Sequence, residues 1–206
     1  MAEKTERTFI YTLARVLAAV LFHTICPVRY HDARILKDMQ APSIVIGNHL
    51  SAMDPFIVAY AVKKYEIRFI GKRELTGSKL LERVLNGLHM IPVTRGGTDM
   101  SAMRACMQVL KDGRVLGIFP EGTRHQPEMM HTVESGAAMI ALRANVPVLP
   151  VYIHSKFRPF HVTHVYVGQP METDDIKAQG LSSDTIQQLC ERIRQVFYGM
   201  REKANS

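Results

Sequence analysis

The sequence SIVIGNHLSAMDPF, at residues 43–56, joins a strand pattern to the start of a helix. Residues 43–46 are apolar or small, and Pro42 and Asn48 bound this stretch, which predicts a short buried strand. Asp54 and Pro55 then predict a helix start, with an N-cap acceptor followed by proline at the first helical position. His49 consequently lies on the loop that leaves the strand, where open α/β sheets usually place their ligand sites.

The spacing of His49 and Asp54 allows the two side chains to meet. Residues five apart on one regular helix diverge by roughly 140°, but here the histidine precedes the helix and the aspartate begins it. A neutral imidazole held by a carboxylate at one nitrogen presents its other nitrogen as a base near neutral pH. The spacing alone leaves a simpler interpretation open, in which Asp54 only caps the helix and His49 is a polar loop residue.

A second motif, FPEGTR, occurs at residues 119–124, after the Asn48-His49-x4-Asp54 motif. Asn48-His49-x4-Asp54 followed by FPEGTR resembles the motif set of the 1-acylglycerol-3-phosphate O-acyltransferases, a family of membrane-associated glycerolipid acyltransferases. Two weaker blocks, GLHMIPVTR at residues 87–95 and VPVLPV at residues 146–151, occur in the family's order. The resemblance covers roughly residues 42–170.

The resemblance implies a reaction and a set of site residues. The reaction is transfer of a fatty acyl group from an acyl thioester, either acyl-CoA or acyl-carrier protein, to the free hydroxyl of 1-acyl-sn-glycerol-3-phosphate (lysophosphatidic acid). The product is phosphatidic acid, an intermediate of phospholipid biosynthesis. His49 is the expected base, and Asp54 is expected to orient it. The expected substrate-binding residues are Arg95, Glu121, Gly122, Thr123 and Arg124.

The substrate-binding residues differ in their expected use. Arg95 and Arg124 can hold a phosphate through bidentate, charge-assisted hydrogen bonds. Glu121 suits a hydroxyl-bearing acceptor or holds the arginines in place, Gly122 permits close backbone approach, and Thr123 supports the turn. A thioester is already activated, so no covalent acyl-enzyme is needed, and the sequence contains no Gly-x-Ser-x-Gly elbow. We expect neither a metal nor a cofactor.

One block departs from the family pattern. Where related chains typically show Phe-Lys-x-Gly-Ala, this chain has VESGA at residues 133–137. Glu134 therefore places an acid where a cation is expected. Lys72 and Arg73 are candidates to supply the missing positive charge, whereas His89 in the second block is interpreted as a structural residue.

Composition and charge bound the class of protein. The 206 residues, 47% hydrophobic and 22% charged, suit one folded domain, and a net charge of +7 indicates an acidic partner such as phosphate or anionic lipid. Nucleic acid is disfavoured because tryptophan is absent and no basic helix or aromatic platform is evident. The alternatives are transfer to glycerol-3-phosphate or another lysolipid, and a non-catalytic membrane-bound scaffold. Three widely spaced cysteines predict buried free thiols.

The most apolar segment is FIYTLARVLAAVLFHTICP at residues 9–27. Thr12, Arg15 and His23 share one narrow stripe of the predicted helix, which leaves a broad apolar face. We favour an interfacial or re-entrant helix that contacts an anionic phospholipid surface; packing on the core and a true span, for which about 17 residues is short, are the alternatives. Residues 1–40 form this membrane-associating segment and residues 41–206 the acyltransferase domain, at the cytoplasmic face of a membrane.

The rest of the chain alternates strand and helix patterns. This alternation predicts an α/β fold, a single mixed, mostly parallel sheet layered with helices, which is the glycerolipid acyltransferase fold that the resemblance implies. The further predicted strands are residues 67–71, 90–93, 114–119, 148–153 and 162–167. The predicted helices are residues 56–65, 78–85, 98–111, 136–144 and 183–200.

Overall fold

The structure, a computed structural model, describes residues 9–72, 88–93, 100–124 and 127–206. Its strands are β1 Val28–His31, β2 Ser43–Gly47, β3 Ile67–Lys72, β4 Ile91–Val93, β5 Val115–Ile118, β6 Val148–Ile153 and β7 Thr163–Val167. They form one sheet in the order β1-β7-β6-β2-β5-β3-β4. The β6–β7 pair is antiparallel and the other pairs are parallel, which confirms the mixed, mostly parallel sheet.

Helices cover both faces of this sheet. The described helices are α1 Phe9–Thr24, α2 Arg34–Asp38, α3 Asp54–Ala61, α4 Met100–Lys111, α5 Ser135–Ala144, α6 Asp174–Lys177 and α7 Ser183–Asn205. On one face α1, α2 and α3 pack over an apolar core, and on the other α4, α5, α6 and α7 pack over a second core. All five residues of β2, which lies between the two cores, are buried. This burial explains why its sequence is a continuous apolar run and not an alternating one.

The strand directions bring the two motifs to one edge of the sheet. Strands β2, β3, β5 and β6 are parallel and end together at this edge, which is the carboxyl edge below. The loop with His49 leaves β2 there, and the FPEGTR loop leaves β5 there. Because β7 runs antiparallel to β6, and β1 runs parallel to β7, both of these strands begin at the carboxyl edge.

The sheet begins earlier in the chain than the sequence indicates. Strand β1 pairs with β7 from Val28 to His31, so the predicted division between residues 40 and 41 does not coincide with the start of the sheet. The residues VRYH do alternate apolar and polar side chains, but over only four positions, and sequence patterning missed this short strand. Helix α3 ends at Ala61, short of the predicted Tyr65, whereas α7 continues past the predicted Met200. The predicted helix at residues 78–85 lies outside the described residues.

Helix α1 packs on the core with one side and exposes an apolar side. Tyr11, Ala18 and Phe22 are buried. Ala18 and Phe22 belong to the core shared with α3 and the sheet, and the Tyr11 hydroxyl accepts from the N–H of Ile67 in β3 at 3.2 Å. The opposite side is exposed and consists of the large apolar side chains Phe9, Leu13, Val16, Leu17 and Val20. The core-packing alternative thus holds for one side of the helix, and the broad apolar face that the sequence predicts is present on the other. Across the four described ranges, no helix combines the length and the hydropathy that a membrane span requires.

Candidate active site

His49 and Asp54 form a hydrogen-bonded pair at the carboxyl edge. His49 Nδ1 lies 2.9 Å from Asp54 Oδ2, which also accepts hydrogen bonds from the backbone N–H groups of Leu50 and Ser51, each at 2.6 Å. The other oxygen, Oδ1, accepts from Ser51 Oγ at 2.7 Å. This carboxylate is completely buried, and the N-terminus of α3 favours its negative charge. With Nδ1 donating to Asp54, the neutral ring carries its lone pair on Nε2.

Asp54 is the first residue of α3 and not its N-cap. Met53 occupies the N-cap position, with no side-chain cap hydrogen bond. The sequence-based expectation of an aspartate N-cap is therefore wrong, because the loop turns the carboxylate back toward His49 and the amides of Leu50 and Ser51. This geometry removes the simpler interpretation in which Asp54 only caps the helix.

An aromatic stack holds one face of the His49 ring. The ring lies on Phe119, with centroids 4.4 Å apart and planes inclined by 22°, and Phe119 in turn stacks on Phe69 at 5.6 Å. The His49 side chain keeps 19% of its surface exposed, and the described residues make no hydrogen bond to Nε2. The imidazole is thus fixed by Asp54 and Phe119 while its second nitrogen can accept a proton.

Glu121 connects the FPEGTR loop to the backbone of the histidine loop. Its buried carboxylate accepts from the N–H of His49 at 2.6 Å through Oε2, and from the N–H of Met130 at 2.7 Å through Oε1. Burial raises the pKa of the Glu121 carboxyl, and the hydrogen bonds from these two amides oppose the increase. Both oxygens thus accept hydrogen bonds from backbone amides of the protein, and the contact with the acceptor or with the arginines stays a prediction.

Asn48 connects the histidine loop to strand β6. Sequence reasoning did not predict this connection. Its side-chain N–H₂ group donates to the carbonyl of Ile153 at 2.9 Å, and its side-chain oxygen accepts from the N–H of Ile153 at 2.7 Å. Ile153 is the last residue of β6, 105 positions away in the chain. Asn48 therefore bridges β2 to the end of β6 beside His49.

The other predicted substrate-binding residues lie on the loop after β5, except for one. Gly122 has φ of +63°, a left-handed conformation that favours glycine, Thr123 is half-buried and Arg124 is exposed. Arg95 falls outside the described residues, as does Arg73. Lys72 ends β3 at the carboxyl edge.

Glu134 lies directly beside this loop. Its backbone N–H donates to the carbonyl of Pro120 at 2.8 Å. Its side chain packs so closely on Gly122 that a Cβ built there would lie 3.1 Å from both Cγ and Oε1 of the glutamate. An acidic group is therefore present within the loop region where a phosphate was expected to bind.

The remaining sequence candidates lie elsewhere. His89 precedes β4 at the edge opposite His49, where its Nε2 is 3.1 Å from the buried carboxylate of Glu66, and burial lowers the pKa of His89. This placement agrees with a structural residue and not with a second base. No cluster of three or more potential ligands that could hold a metal occurs among the described residues. The three cysteines are unpaired thiols.

Comparison with known proteins identifies the family. A family model described as Acyltransferase matches residues 27–154, more than half of the chain. The chain therefore belongs to the acyltransferase family.

Individual relatives indicate which acyltransferases within the family this chain resembles. The chain is 28% identical over 205 residues to the 1-acyl-sn-glycerol-3-phosphate acyltransferase of Streptococcus pneumoniae, covering 96% of this chain and 75% of that protein. It is 32% identical over 167 residues to human 1-acyl-sn-glycerol-3-phosphate acyltransferase alpha, covering 74% of this chain and 56% of that protein. These matches confirm the resemblance found in the motifs. The chain spans only about half of several relatives, such as 53% of the Bacillus subtilis enzyme.

A solved structure shows the same fold. The crystal structure of the 1-acyl-sn-glycerophosphate (LPA) acyltransferase PlsC from Thermotoga maritima matches with a TM-score of 0.66 and 24% identity, covering 96% of this chain and 78% of that one. The expected glycerolipid acyltransferase fold is thereby confirmed, and the predicted N-terminal helix is consistent with α1.

Proposed function

We propose that the protein transfers a fatty acyl group from an acyl thioester to the free hydroxyl of 1-acyl-sn-glycerol-3-phosphate, giving phosphatidic acid. The observation that carries this proposal is the imidazole of His49, held at Nδ1 by the buried Asp54 and open at Nε2. The names of the relatives support the choice of acceptor. Either acyl-CoA or acyl-carrier protein would supply the thioester.

The proposed reaction is a direct transfer. His49 Nε2 removes the proton from the acceptor hydroxyl while that oxygen attacks the thioester carbonyl, and Asp54 stabilises the imidazolium that forms. The tetrahedral intermediate collapses with cleavage of the carbon–sulfur bond. The thiolate leaves and takes up the proton from His49, so the histidine returns to its neutral form. Glu121, through the His49 amide, and Phe119, through the ring, would hold the base in place.

Acceptor binding is proposed for the loop after β5. Arg124 is exposed there and would pair with the phosphate, with Arg95 as its partner. Gly122 would allow the backbone to approach the acceptor, and Thr123 would support the turn.

Glu134 favours a second candidate within the same reaction. Its side chain lies against Gly122, so an acceptor whose headgroup carries a cation next to the phosphate would gain an attractive contact there. A zwitterionic lysolipid is such an acceptor. The same base and thioester chemistry would apply.

Membrane contact through α1 is part of the proposal. The exposed apolar side of the helix, from Phe9 to Val20, suits the boundary between headgroups and acyl chains, where a lysolipid acceptor resides. Since acyl-CoA and acyl-carrier protein are cytoplasmic thioesters, the reaction is proposed for the cytoplasmic face.

A product assay tests the function. The full chain is incubated with vesicles containing lysophosphatidic acid and with acyl-CoA or acyl-carrier protein in separate arms, and the lipid product is identified by mass. We expect phosphatidic acid with at least one donor, its absence with His49→Ala, and normal formation with the matched control His131→Ala. A folded chain that acylates neither this acceptor nor a zwitterionic lysolipid with either donor would contradict the proposal.

A further inference from the structure

The loop at residues 154–162, HSKFRPFHV, is attached to the C-terminal end of α1. The backbone N–H of Phe160 donates to the carbonyl of Ile25 at 2.8 Å. The Phe157 ring contacts Phe22 of α1 edge-on, with centroids 5.8 Å apart. The loop follows β6 and precedes β7, so it lies at the carboxyl edge, on the same edge as His49. The end of α1 and this loop therefore form one surface, the α1–loop surface.

Phe160 is the most exposed large apolar residue of the described chain. Its side chain is 83% exposed, and the neighbouring Ile25 and Val162 are exposed as well. Its φ of +61° is a conformation that glycine or asparagine adopts more easily than an aromatic residue. Neither burial nor backbone geometry therefore explains a phenylalanine at this position. A contact outside the folded chain would explain it.

The charges around Phe160 indicate what that contact is. The loop carries two exposed cations, Lys156 and Arg158, and no acidic residue. Residues 9–31, which include α1 and β1, also contain no aspartate or glutamate. An apolar surface built from two segments that carry cations and no carboxylate of their own is complementary to an anionic bilayer.

We propose that the loop at residues 154–162 is a second membrane-contacting element, which inserts Phe160 into the acyl-chain boundary of an anionic bilayer beside α1. Lys156 and Arg158 lie at the level of the anionic headgroups. This inference rests on the proposed function in one respect, because it brings the carboxyl edge with His49 close to the lipid from which the acceptor comes. Insertion itself requires no turnover.

The absence of tryptophan from the chain permits a direct test. Phe160→Trp, Val16→Trp on the exposed side of α1 and Leu181→Trp each introduce a single fluorophore. Leu181 is 46% exposed and lies in the turn before α7, so it is the matched exposed control. Each full-length variant is mixed with phosphatidylglycerol vesicles, with and without bromine on the acyl chains, and no substrate is added.

The proposal predicts a blue shift and bromine quenching for Phe160→Trp and Val16→Trp, and neither for Leu181→Trp. It is overturned if Val16→Trp responds and Phe160→Trp stays at its aqueous emission, since α1 alone would then contact the membrane. It is also overturned if Phe160→Trp shifts without vesicles in a concentration-dependent manner, since a second copy of the chain would then cover the residue.

Charge variants provide an independent readout. Lys156→Gln combined with Arg158→Gln should lower sedimentation with anionic vesicles by about tenfold and leave binding to neutral vesicles unchanged. Equal binding of this variant and wild type to anionic vesicles would contradict the proposed role of the cations. Because neither measurement uses acyl transfer, an inactive chain that inserts Phe160 would refute the function alone, and an active chain that does not would refute this inference alone.

Discussion

At the scale of single residues, the candidate base is restrained by three separate groups. Asp54 fixes Nδ1 of His49, Glu121 fixes its backbone amide, and Phe119 packs against its ring. A catalytic side chain held within a narrow range of positions loses less free energy to reorganisation in the transition state. We therefore propose that Glu121 and Phe119 position His49.

Glu121→Gln separates positioning from substrate binding. The glutamine has one acceptor oxygen and an N–H₂ group that faces a second N–H donor, so either the His49 or the Met130 amide loses its partner. We expect kcat to fall by about tenfold with KM for lysophosphatidic acid nearly unchanged. The matched control is Glu128→Gln. Glu128 is an exposed glutamate that lies, like Glu121, between β5 and α5. A raised KM with unchanged kcat would instead favour the acceptor contact expected from the sequence.

Glu134→Gln tests the acid beside the acceptor loop. The carboxylate lies against Gly122, where it would repel a bound phosphate, although its exposure weakens the effect. We expect KM for lysophosphatidic acid to fall by about threefold at low salt, less at high salt, with KM for a zwitterionic lysolipid rising. Steady-state kinetics on mixed vesicles measures both values. An unchanged ratio of the two KM values would show that Glu134 does not select the acceptor.

At the scale of elements, the way α1 attaches to the domain depends on one cation. The Arg15 guanidinium donates to the carbonyls of Ala59 at 2.5 Å and Val62 at 3.1 Å, which lie at the C-terminal end of α3. These carbonyls lack helical partners and carry the negative end of the helix dipole. The arginine in the apolar N-terminal segment thus connects α1 to α3.

Arg15→Met keeps the apolar stem and removes these hydrogen bonds. We expect the free energy of unfolding to fall by about 1–2 kcal/mol, because two backbone carbonyls lose a charged donor. Urea denaturation followed by circular dichroism measures the change. Arg29→Met, which removes an exposed arginine of β1, is the control and should leave the midpoint unchanged. Identical midpoints for wild type and Arg15→Met would show that α1 is held by its apolar contacts alone.

The elements also show where sequence patterning succeeds and fails. Strand β2 and helix α4 were predicted because local sequence shows their burial: β2 is a continuous apolar run, and α4 repeats apolar residues at helical spacing. Strand β1 was missed because the residues VRYH form a strand through pairing with β7, more than 130 positions later in the chain. Local patterns carry no information on such a pairing.

At the scale of the whole molecule, sheet topology produces the site. The motifs at His49 and at Glu121 lie 72 positions apart, and they meet because β2 and β5 are parallel neighbours. The sequence predicted both motifs, each directly after a predicted strand of a mostly parallel sheet. It could not predict that Glu121 binds the His49 amide or that Asn48 bridges to Ile153, since both depend on the register of distant strands.

The same topology places the site on the same side of the molecule as the proposed membrane-contacting surface. The end of α1 and the loop at residues 154–162 share the carboxyl edge with His49. An acceptor that remains in the bilayer would therefore have a short path to the imidazole. The proposals for the reaction and for the α1–loop surface thus concern one side of the molecule.

The central claim, that His49 is the base of acyl transfer, is tested most directly by chemical rescue. The initial rate of phosphatidic acid formation is measured for His49→Ala over a range of added imidazole, beside His131→Ala as control. We predict a loss of about 100-fold or more without imidazole, and a partial recovery that rises with imidazole for His49→Ala alone. Full activity of a correctly folded His49→Ala variant in the absence of imidazole would contradict the claim.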